Sequence, residues 1–135
     1  MRTCEVPSWV AIVDDETALR ESIESLLRSA GFQATGFRSA EDFLGAPWHG
    51  AACLILDITL PGMNGLELQR HLSGQGALLP IVFLTALDDP GDLLRAQARR
   101  FGALAFLHKP FVCDELLSAV GCAVLRSAPA PCEKN

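Results

Sequence analysis

Strand-like and helix-like patterns of apolar residues alternate five times along the chain. Short continuous apolar runs predict strands buried on both faces of a parallel sheet, and each run precedes a stretch with apolar residues at helical spacing. The predicted strands cover residues 9–13, 33–37, 51–57, 80–84 and 104–107. The predicted helices cover residues 16–30, 40–44, 64–72, 90–101 and 114–126. Repeated strand–helix units form right-handed crossovers, so we expect an α/β fold with one parallel sheet and helices on both faces.

Capping residues define several of these boundaries. Ser39 is suited to the N-cap of the second helix, and Asp89 with Pro90 forms a typical helix start. Gly31 and Gly102 follow the last apolar residues of two helices, where glycine commonly ends a helix. The segment 33–37 is less apolar than the other strands. We therefore expect it to lie near an edge of the sheet.

Polar residues stand at the ends of four predicted strands. They are Asp14 and Asp15 after the first strand, Asp57 at the end of the third, Thr85 after the fourth and Lys109 after the fifth. Ligand sites of open parallel sheets lie at the carboxyl ends of the strands, where the strand order reverses. An ionised carboxylate beside an apolar core must be paired or coordinated. These five side chains therefore form the candidate site.

Their chemistry is that of phosphoryl transfer. Converging carboxylates raise one another's pKa, and a divalent cation such as Mg²⁺, which prefers oxygen ligands, removes that cost. Asp57 can then act as a nucleophile that forms an acyl phosphate. Lys109 and the cation supply positive charge to the phosphoryl oxygens, and the Thr85 hydroxyl donates a hydrogen bond. An aspartate after a strand is more often a helix N-cap, here for a helix that begins at Glu16, but Asp14 and the three matching strand ends argue against a cap as the sole role of Asp15.

Composition narrows the class of protein. The chain has 135 residues, of which 50% are hydrophobic and 20% charged, as expected for one globular domain. Its net charge of −5 argues against a nucleic-acid-binding surface, which would carry a basic patch. No apolar run approaches the roughly 20 residues that span a bilayer, and the first residues lack the apolar region of a secretory signal. We expect a cytoplasmic protein without membrane or nucleic-acid contacts.

The five cysteines and three histidines do not suggest a second site. No two cysteines have the spacing of a zinc or dithiol motif. We expect Cys53 in its strand and Cys122 in its helix to pack as small hydrophobic residues. We interpret His49, His71 and His108 as solvated or structural.

The strand-end residues and their neighbours resemble the receiver domain of two-component response regulators. The resemblance rests on the acidic pair, on Thr85 and on the motifs LDITLPGMNG at 56–65 and FLHKPF at 106–111. The segments LRES at 19–22, SAGF at 29–32 and GLELQ at 65–69 are similar to the FixJ-like subgroup. The resemblance covers residues 8–126 and implies a doubly wound (βα)5 domain with flavodoxin-like strand order 2-1-3-4-5. We therefore expect residues 1–7 and 127–135 to be tails and no effector domain to follow.

The resemblance also implies the role of each site residue. Asp57 is the phosphoacceptor, and Asp14, Asp15, Asp57 and the backbone carbonyl of Thr59 hold Mg²⁺. The Lys109 ammonium assists the transfer.

By the same resemblance, Thr85 and Phe106 report phosphorylation. They do so on the face made by the fourth helix, the fifth strand and the fifth helix. The peptide bond between Lys109 and Pro110 is cis, which is otherwise found in only about 5–6% of such bonds in folded proteins.

The implied partner is a sensor histidine kinase or a phosphotransfer protein, whose phosphohistidine donates the phosphoryl group. Such a domain promotes its own phosphorylation and dephosphorylation and is no metabolic enzyme. The resemblance also implies a possible homodimer formed through the face made by the fourth helix, the fifth strand and the fifth helix. The stretch from Thr85 to Lys109 is about two residues longer than its FixJ-like counterparts, with the excess near 98–101. The sequence fits either a stand-alone receiver or a fragment without its DNA-binding domain.

Two alternatives remain open. A magnesium-dependent aspartyl phosphatase or phosphotransferase would also use Asp57, but such enzymes commonly place a second acid two residues later, where Thr59 stands. A pseudo-receiver scaffold that is never phosphorylated would not need the acids, the hydroxyl and the lysine together.

Overall fold

A computed structural model of the chain describes residues 9–60, 62–76, 79–85, 96, 99–100, 103–109 and 111–127. The strands are β1 (Trp9–Val13), β2 (Gln33–Phe37), β3 (Ala51–Asp57), β4 (Ile81–Thr85) and β5 (Ala105–His108). The helices are α1 (Thr17–Ser29), α2 (Ala40–Leu44), α3 (Gly65–Gly74) and α4 (Cys113–Ser127), with a 3-10 turn at Trp48–Gly50. Most of the predicted helix 90–101 lies outside the described residues, but Ala96, Arg99 and Arg100 are helical.

The five strands form one parallel sheet in the order β2-β1-β3-β4-β5. This confirms the expected fold class and strand order, including the edge position of β2. The order reverses between β1 and β3, where Val13 pairs with Leu56. Because Asp57 pairs with Leu84 in β4, and Thr85 with His108 in β5, the residues that follow all these strands emerge at the same edge.

The sheet separates two apolar clusters, as the alternation of side chains along a strand requires. One face carries Leu54, Leu56 and Phe83 and packs against the buried side chains of α2 and α3. The other carries Ile55 and Val82 and packs against α1 and α4. Burying one such side chain contributes about 1.5–3 kcal/mol relative to leaving it exposed. The clusters therefore provide the main driving force for folding.

The start of α2 agrees with the sequence pattern, whereas the predicted caps at Asp89, Pro90 and Gly102 lie outside the described residues. Ser39 Oγ accepts a hydrogen bond from the Asp42 backbone N–H at 3.0 Å, so the predicted N-cap of α2 is confirmed. At the start of α3, Asn64 Oδ1 accepts from Glu67 N–H and Glu67 Oε1 accepts from Asn64 N–H, both at 2.9 Å. This reciprocal pair satisfies two of the free donors at the helix start.

One packing expectation is wrong. Cys53 is buried in β3, and burial raises the pKa of its thiol to about 12, which keeps it protonated. Cys122, by contrast, is exposed. The buried stripe of α4 passes through Leu116, Val120 and Ala123, and Cys122 lies about 100° around the helix from Ala123.

The histidines have structural contacts. The His49 ring stacks on Trp48 with 4.1 Å between centroids, and His71 Nε2 lies 3.0 Å from Gln75 Nε2. His108 is exposed at the end of β5. Among the described residues, no helix is both long and apolar enough to cross a membrane.

Candidate functional site

Two buried aspartates and one lysine from three strands meet at the carboxyl edge of the sheet. Asp57 is the last residue of β3 and is 4% exposed, whereas Asp14, immediately after β1, is completely buried. Lys109 follows β5, and its Nζ donates to Asp14 Oδ2 and to Asp57 Oδ2, both at 3.0 Å. The structure thus brings together three of the residues that the sequence predicted to converge.

Both oxygens of Asp57 are engaged. Oδ1 accepts from the Thr59 backbone N–H at 3.0 Å and from Thr59 Oγ1 at 3.3 Å, while Oδ2 accepts from Lys109. These bonds fix the plane of the Asp57 carboxylate at the mouth of the sheet.

The electrostatics of the site reflect its burial. Burial raises the pKa of the Asp57 carboxyl above its usual value, outweighing the hydrogen bonds from Lys109 and Thr59, which lower it. Burial by itself lowers the pKa of Lys109, but its hydrogen bonds to Asp14 and Asp57 more than reverse this effect. The lysine therefore remains a cation held between the two acids.

A third acid completes a cluster that could bind a metal ion. Asp14, Asp15 and Asp57 each offer a carboxylate oxygen, and these atoms lie within 4.8 Å of one another. Asp15 is exposed, so the cluster opens to solvent on its side. Carboxylate oxygens at this separation fit a hard divalent cation.

The cap interpretation of Asp15 is wrong. Helix α1 begins at Thr17 with Glu16 as its N-cap residue, and the Glu16 N–H donates to Asp14 Oδ1 at 2.9 Å. It is therefore Asp14 that satisfies a donor near the start of α1, which leaves Asp15 to the acidic cluster.

Thr85 brings a hydroxyl to the same edge. It is the last residue of β4 and is 5% exposed. Its backbone carbonyl accepts from the Lys109 N–H at 2.8 Å, while its buried Oγ1 has no hydrogen-bond partner within the part of the chain that the structure describes. A buried hydroxyl without a partner costs about 1–3 kcal/mol, and a ligand that accepts its proton would remove that cost.

Two residues near the site were given no role by the sequence analysis. A Cβ atom at Gly65 would lie 2.5 Å from the Asp57 carbonyl oxygen and 2.9 Å from Ile58 Cα, so α3 can pack here only with glycine. The guanidinium of Arg20, which is 9% exposed, donates to the Asp14 carbonyl at 2.9 Å. In the sequence, the Asn-Gly pair at a helix start pointed to a special role for Gly65. The spacing of Arg20 from Ile23 placed Arg20 near the buried side of its helix.

Phe106 lies in β5 and is partly buried. Its ring stacks on Phe83 with 5.8 Å between centroids, and the Arg99 guanidinium lies 5.3 Å from its centroid. Pro110 lies outside the described residues, so the cis peptide stays a prediction. The insertion near 98–101 also stays a prediction, because residues 97–98 and 101–102 lie outside the described residues.

Residues 10–121 match the family model of the response regulator receiver domain. The chain belongs to this family. The match spans β1 to most of α4 and therefore contains every residue of the site. The resemblance noted in the sequence is confirmed, and the chain is a phosphoacceptor module of two-component signalling.

Relatives agree with this assignment. The receiver is 42% identical over 120 residues to the transcriptional regulatory protein TdiR of Thauera aromatica, covering 87% of this chain and 51% of TdiR. It is 36% identical over 122 residues to the transcriptional regulatory protein FixJ of Bradyrhizobium diazoefficiens, covering 90% of this chain and 58% of FixJ. The receiver thus spans about half the length of these relatives.

Solved structures have the same fold. The response regulator StyR superimposes with a TM-score of 0.83 at 40% identity, covering 90% of this chain and 61% of StyR. FixJ-N superimposes with a TM-score of 0.78 at 29% identity, covering 93% of this chain and 96% of FixJ-N.

Proposed function

We propose that Asp57 accepts a phosphoryl group from the phosphohistidine of a sensor kinase or phosphotransfer protein. The observation that carries this proposal is the position of Lys109 Nζ, 3.0 Å from the carboxylates of both Asp14 and Asp57. Such an arrangement holds a nucleophilic carboxylate and a cation in contact, with an acidic cluster alongside. We further propose that Asp14, Asp15, Asp57 and the Thr59 backbone carbonyl hold Mg²⁺.

In the transfer step, one Asp57 oxygen attacks phosphorus. The new O–P bond forms as the P–N bond of the donor breaks, and the imidazole nitrogen leaves with the electron pair. Lys109 Nζ faces the developing charge on the phosphoryl oxygens, which is the main task of a protein in phosphoryl transfer. Asp14, Asp15 and Asp57 would hold Mg²⁺, whose charge would offset the repulsion among the carboxylates and the phosphoryl oxygens.

The hydrogen bonds of Asp57 orient the attack. Thr59 N–H and Oγ1 restrain Oδ1, so the carboxylate does not rotate freely before reaction. Restraint of this kind replaces part of the entropy cost of bringing the reactants into line.

Phosphorylation then changes the surface beside β5. The Thr85 hydroxyl, which has no acceptor among the described residues, donates to a phosphoryl oxygen. Its movement leaves room for Phe106 to turn inward, which alters the face that binds a partner or a second copy of the chain. Hydrolysis of the acyl phosphate resets the receiver.

Intact mass after treatment with acetyl phosphate and Mg²⁺ tests the proposal. The wild-type protein should gain one phosphoryl group, and the Asp57→Asn variant should gain none. Asp42→Asn, which removes an exposed acid of α2, is the matched control and should be phosphorylated as the wild type is.

Three outcomes would contradict the proposal. An adduct retained in Asp57→Asn would place the phosphoryl group elsewhere. No adduct in the wild type would favour a pseudo-receiver scaffold. Catalytic turnover of a sugar phosphate would favour a phosphatase or phosphotransferase.

A further inference from the structure

We infer that Arg20 is a positioning residue for the acidic cluster, acting through the main chain of Asp14. Arg20 lies in α1, is only 9% exposed, and donates from Nη1 to the Asp14 carbonyl oxygen at 2.9 Å. The inference rests on the proposed function, because it concerns how the acids are held for Mg²⁺ and for phosphoryl transfer.

The bonded carbonyl belongs to the peptide that joins Asp14 to Asp15. A peptide group is planar, so a hydrogen bond to this oxygen also fixes the direction in which the chain enters Asp15. The Asp14 N–H donates to the Phe37 carbonyl at 3.2 Å, which anchors the other side of the residue. Arg20 therefore controls the angle at which the exposed Asp15 carboxylate meets the buried Asp14 and Asp57.

The side chain of Arg20 is itself held in place by the edge strand. A Cβ atom at Gly36 of β2 would lie 2.8 Å from both Cγ and Cδ of Arg20, and it would also collide with Glu24 Oε2. The aliphatic stem thus passes directly over Gly36. Position 36 accepts a side chain only if the stem of Arg20 moves.

A guanidinium suits this place better than an ammonium. It stays protonated at all relevant pH values and carries five donors in a fixed plane. Burial of a cation is costly unless hydrogen bonds and nearby negative charge offset it. The Asp14 carbonyl supplies one such hydrogen bond to the Arg20 guanidinium.

Arg28 provides a matched control on the same helix. Its Nη2 donates to the Ala34 carbonyl at 2.8 Å, so Arg28 also links α1 to a main-chain oxygen, but that oxygen lies near the start of β2. Arg20→Met and Arg28→Met each remove one such bond and keep a long apolar stem. Only Arg20→Met removes a hydrogen bond to a residue of the acidic cluster, namely the bond to the Asp14 carbonyl.

The measurement is the dissociation constant of Mg²⁺, obtained by calorimetry or from amide shifts in an NMR titration. We expect Arg20→Met to raise it on the order of tenfold, the lower end of the range for residues that orient metal ligands. Arg28→Met should leave it unchanged. Arg20→Lys, which keeps a cationic donor, should restore part of the affinity.

A second readout needs no metal. The Glu16 N–H donates to Asp14 Oδ1, so its hydrogen exchange reports whether the Asp14 turn is held. In the metal-free protein, exchange at Glu16 should accelerate in Arg20→Met and remain as in the wild type in Arg28→Met.

A folded Arg20→Met that binds Mg²⁺ as the wild type does would overturn the inference, and so would an equal loss in Arg28→Met. If Arg20→Met does not fold, Gly36→Ala decides, because it displaces the stem without removing the charge. Wild-type Mg²⁺ affinity in Gly36→Ala would then reject the role of Arg20. Failure of the wild type to bind Mg²⁺ or to accept a phosphoryl group would instead reject the proposed function.

Discussion

The apolar interior of the sheet and the two buried aspartates at its carboxyl edge are opposite in chemistry. In β1 and β3 the last apolar residues, Val13 and Leu56, are fully buried, and the residues that follow them, Asp14 and Asp57, are 0% and 4% exposed. Burial of apolar surface stabilises the fold, whereas burial of a charge costs free energy unless it is paired. The contribution of burial to stability thus changes from favourable to unfavourable between two consecutive residues. The edge is tolerated because Lys109 and Thr59 offset part of its cost.

The largest effect should follow from damage to the interior. Leu54→Ala removes a fully buried side chain of β3 and should lower the free energy of unfolding by about 2–5 kcal/mol, because it leaves a cavity. Urea unfolding followed by tryptophan fluorescence measures this. Leu125→Ala, at a position that is 77% exposed, is the control and should change stability by less than about 0.5 kcal/mol. Equal losses of stability in Leu54→Ala and Leu125→Ala would contradict the view that the buried interior stabilises the fold.

The next largest effect should come from neutralising the edge with a ligand. Mg²⁺ that binds only the folded protein stabilises it by about 2.7 kcal/mol at a hundredfold excess over its dissociation constant. We expect this gain in thermal unfolding of the wild type and its loss in Asp57→Asn. A gain of the same size in both proteins would mean that the ion acts away from the acidic cluster.

Without metal, removal of charge at the edge should stabilise the protein. Because burial raises the pKa of Asp57, its ionised form is less favourable in the fold than in the unfolded chain. Asp57→Asn should therefore increase the free energy of unfolding at neutral pH.

This gain has a defined pH dependence. It is complete above the folded-state pKa of Asp57, and it is lost as the pH falls from that value through the ordinary value of 3.8, below which the carboxyl is protonated in both states. Unfolding of the wild type and Asp57→Asn across this range measures it. The exposed Asp42→Asn should show no such gain, and a loss of stability in Asp57→Asn would contradict the argument.

The smallest effect should lie at the rim of the site. Arg99→Leu removes the guanidinium from the Phe106 ring and should lower stability by about 0.5–1 kcal/mol, the usual value of an exposed cation–π contact. The ring shifts of Phe106 in NMR spectra should change with it. Arg100→Leu alters the adjacent exposed arginine and should change neither quantity.

The sequence predicted those residues of the carboxyl edge that come directly after a strand. Asp14, Asp57 and Lys109 each come after an apolar run, and parallel strands bring such positions together whatever the details of packing. The Thr85 hydroxyl could be placed for the same reason. The order of the strands came from the family resemblance, since hydrophobic periodicity contains no information about which strands are neighbours.

The residues that sequence reasoning missed act through close packing of elements. Arg20 is a charged residue in an amphipathic helix, and nothing local shows that its stem crosses Gly36 of a distant strand. Gly65 is required by the approach of α3 to the main chain of Asp57, which is a tertiary distance. Cys122 was misplaced because it lies one position from a buried stripe, where a helix turns through about 100°.

The lysine that joins the two buried acids has a consequence for biosynthesis. Lys109 and Asp14 are separated by 95 positions in the chain, and the pairing of β5 with β4 brings Lys109 to the edge where the acids lie. A growing polypeptide that ends before residue 109 has its aspartates without the cation that holds them together. Under the proposed function, such an unfinished chain therefore lacks the cation that assists phosphoryl transfer to Asp57.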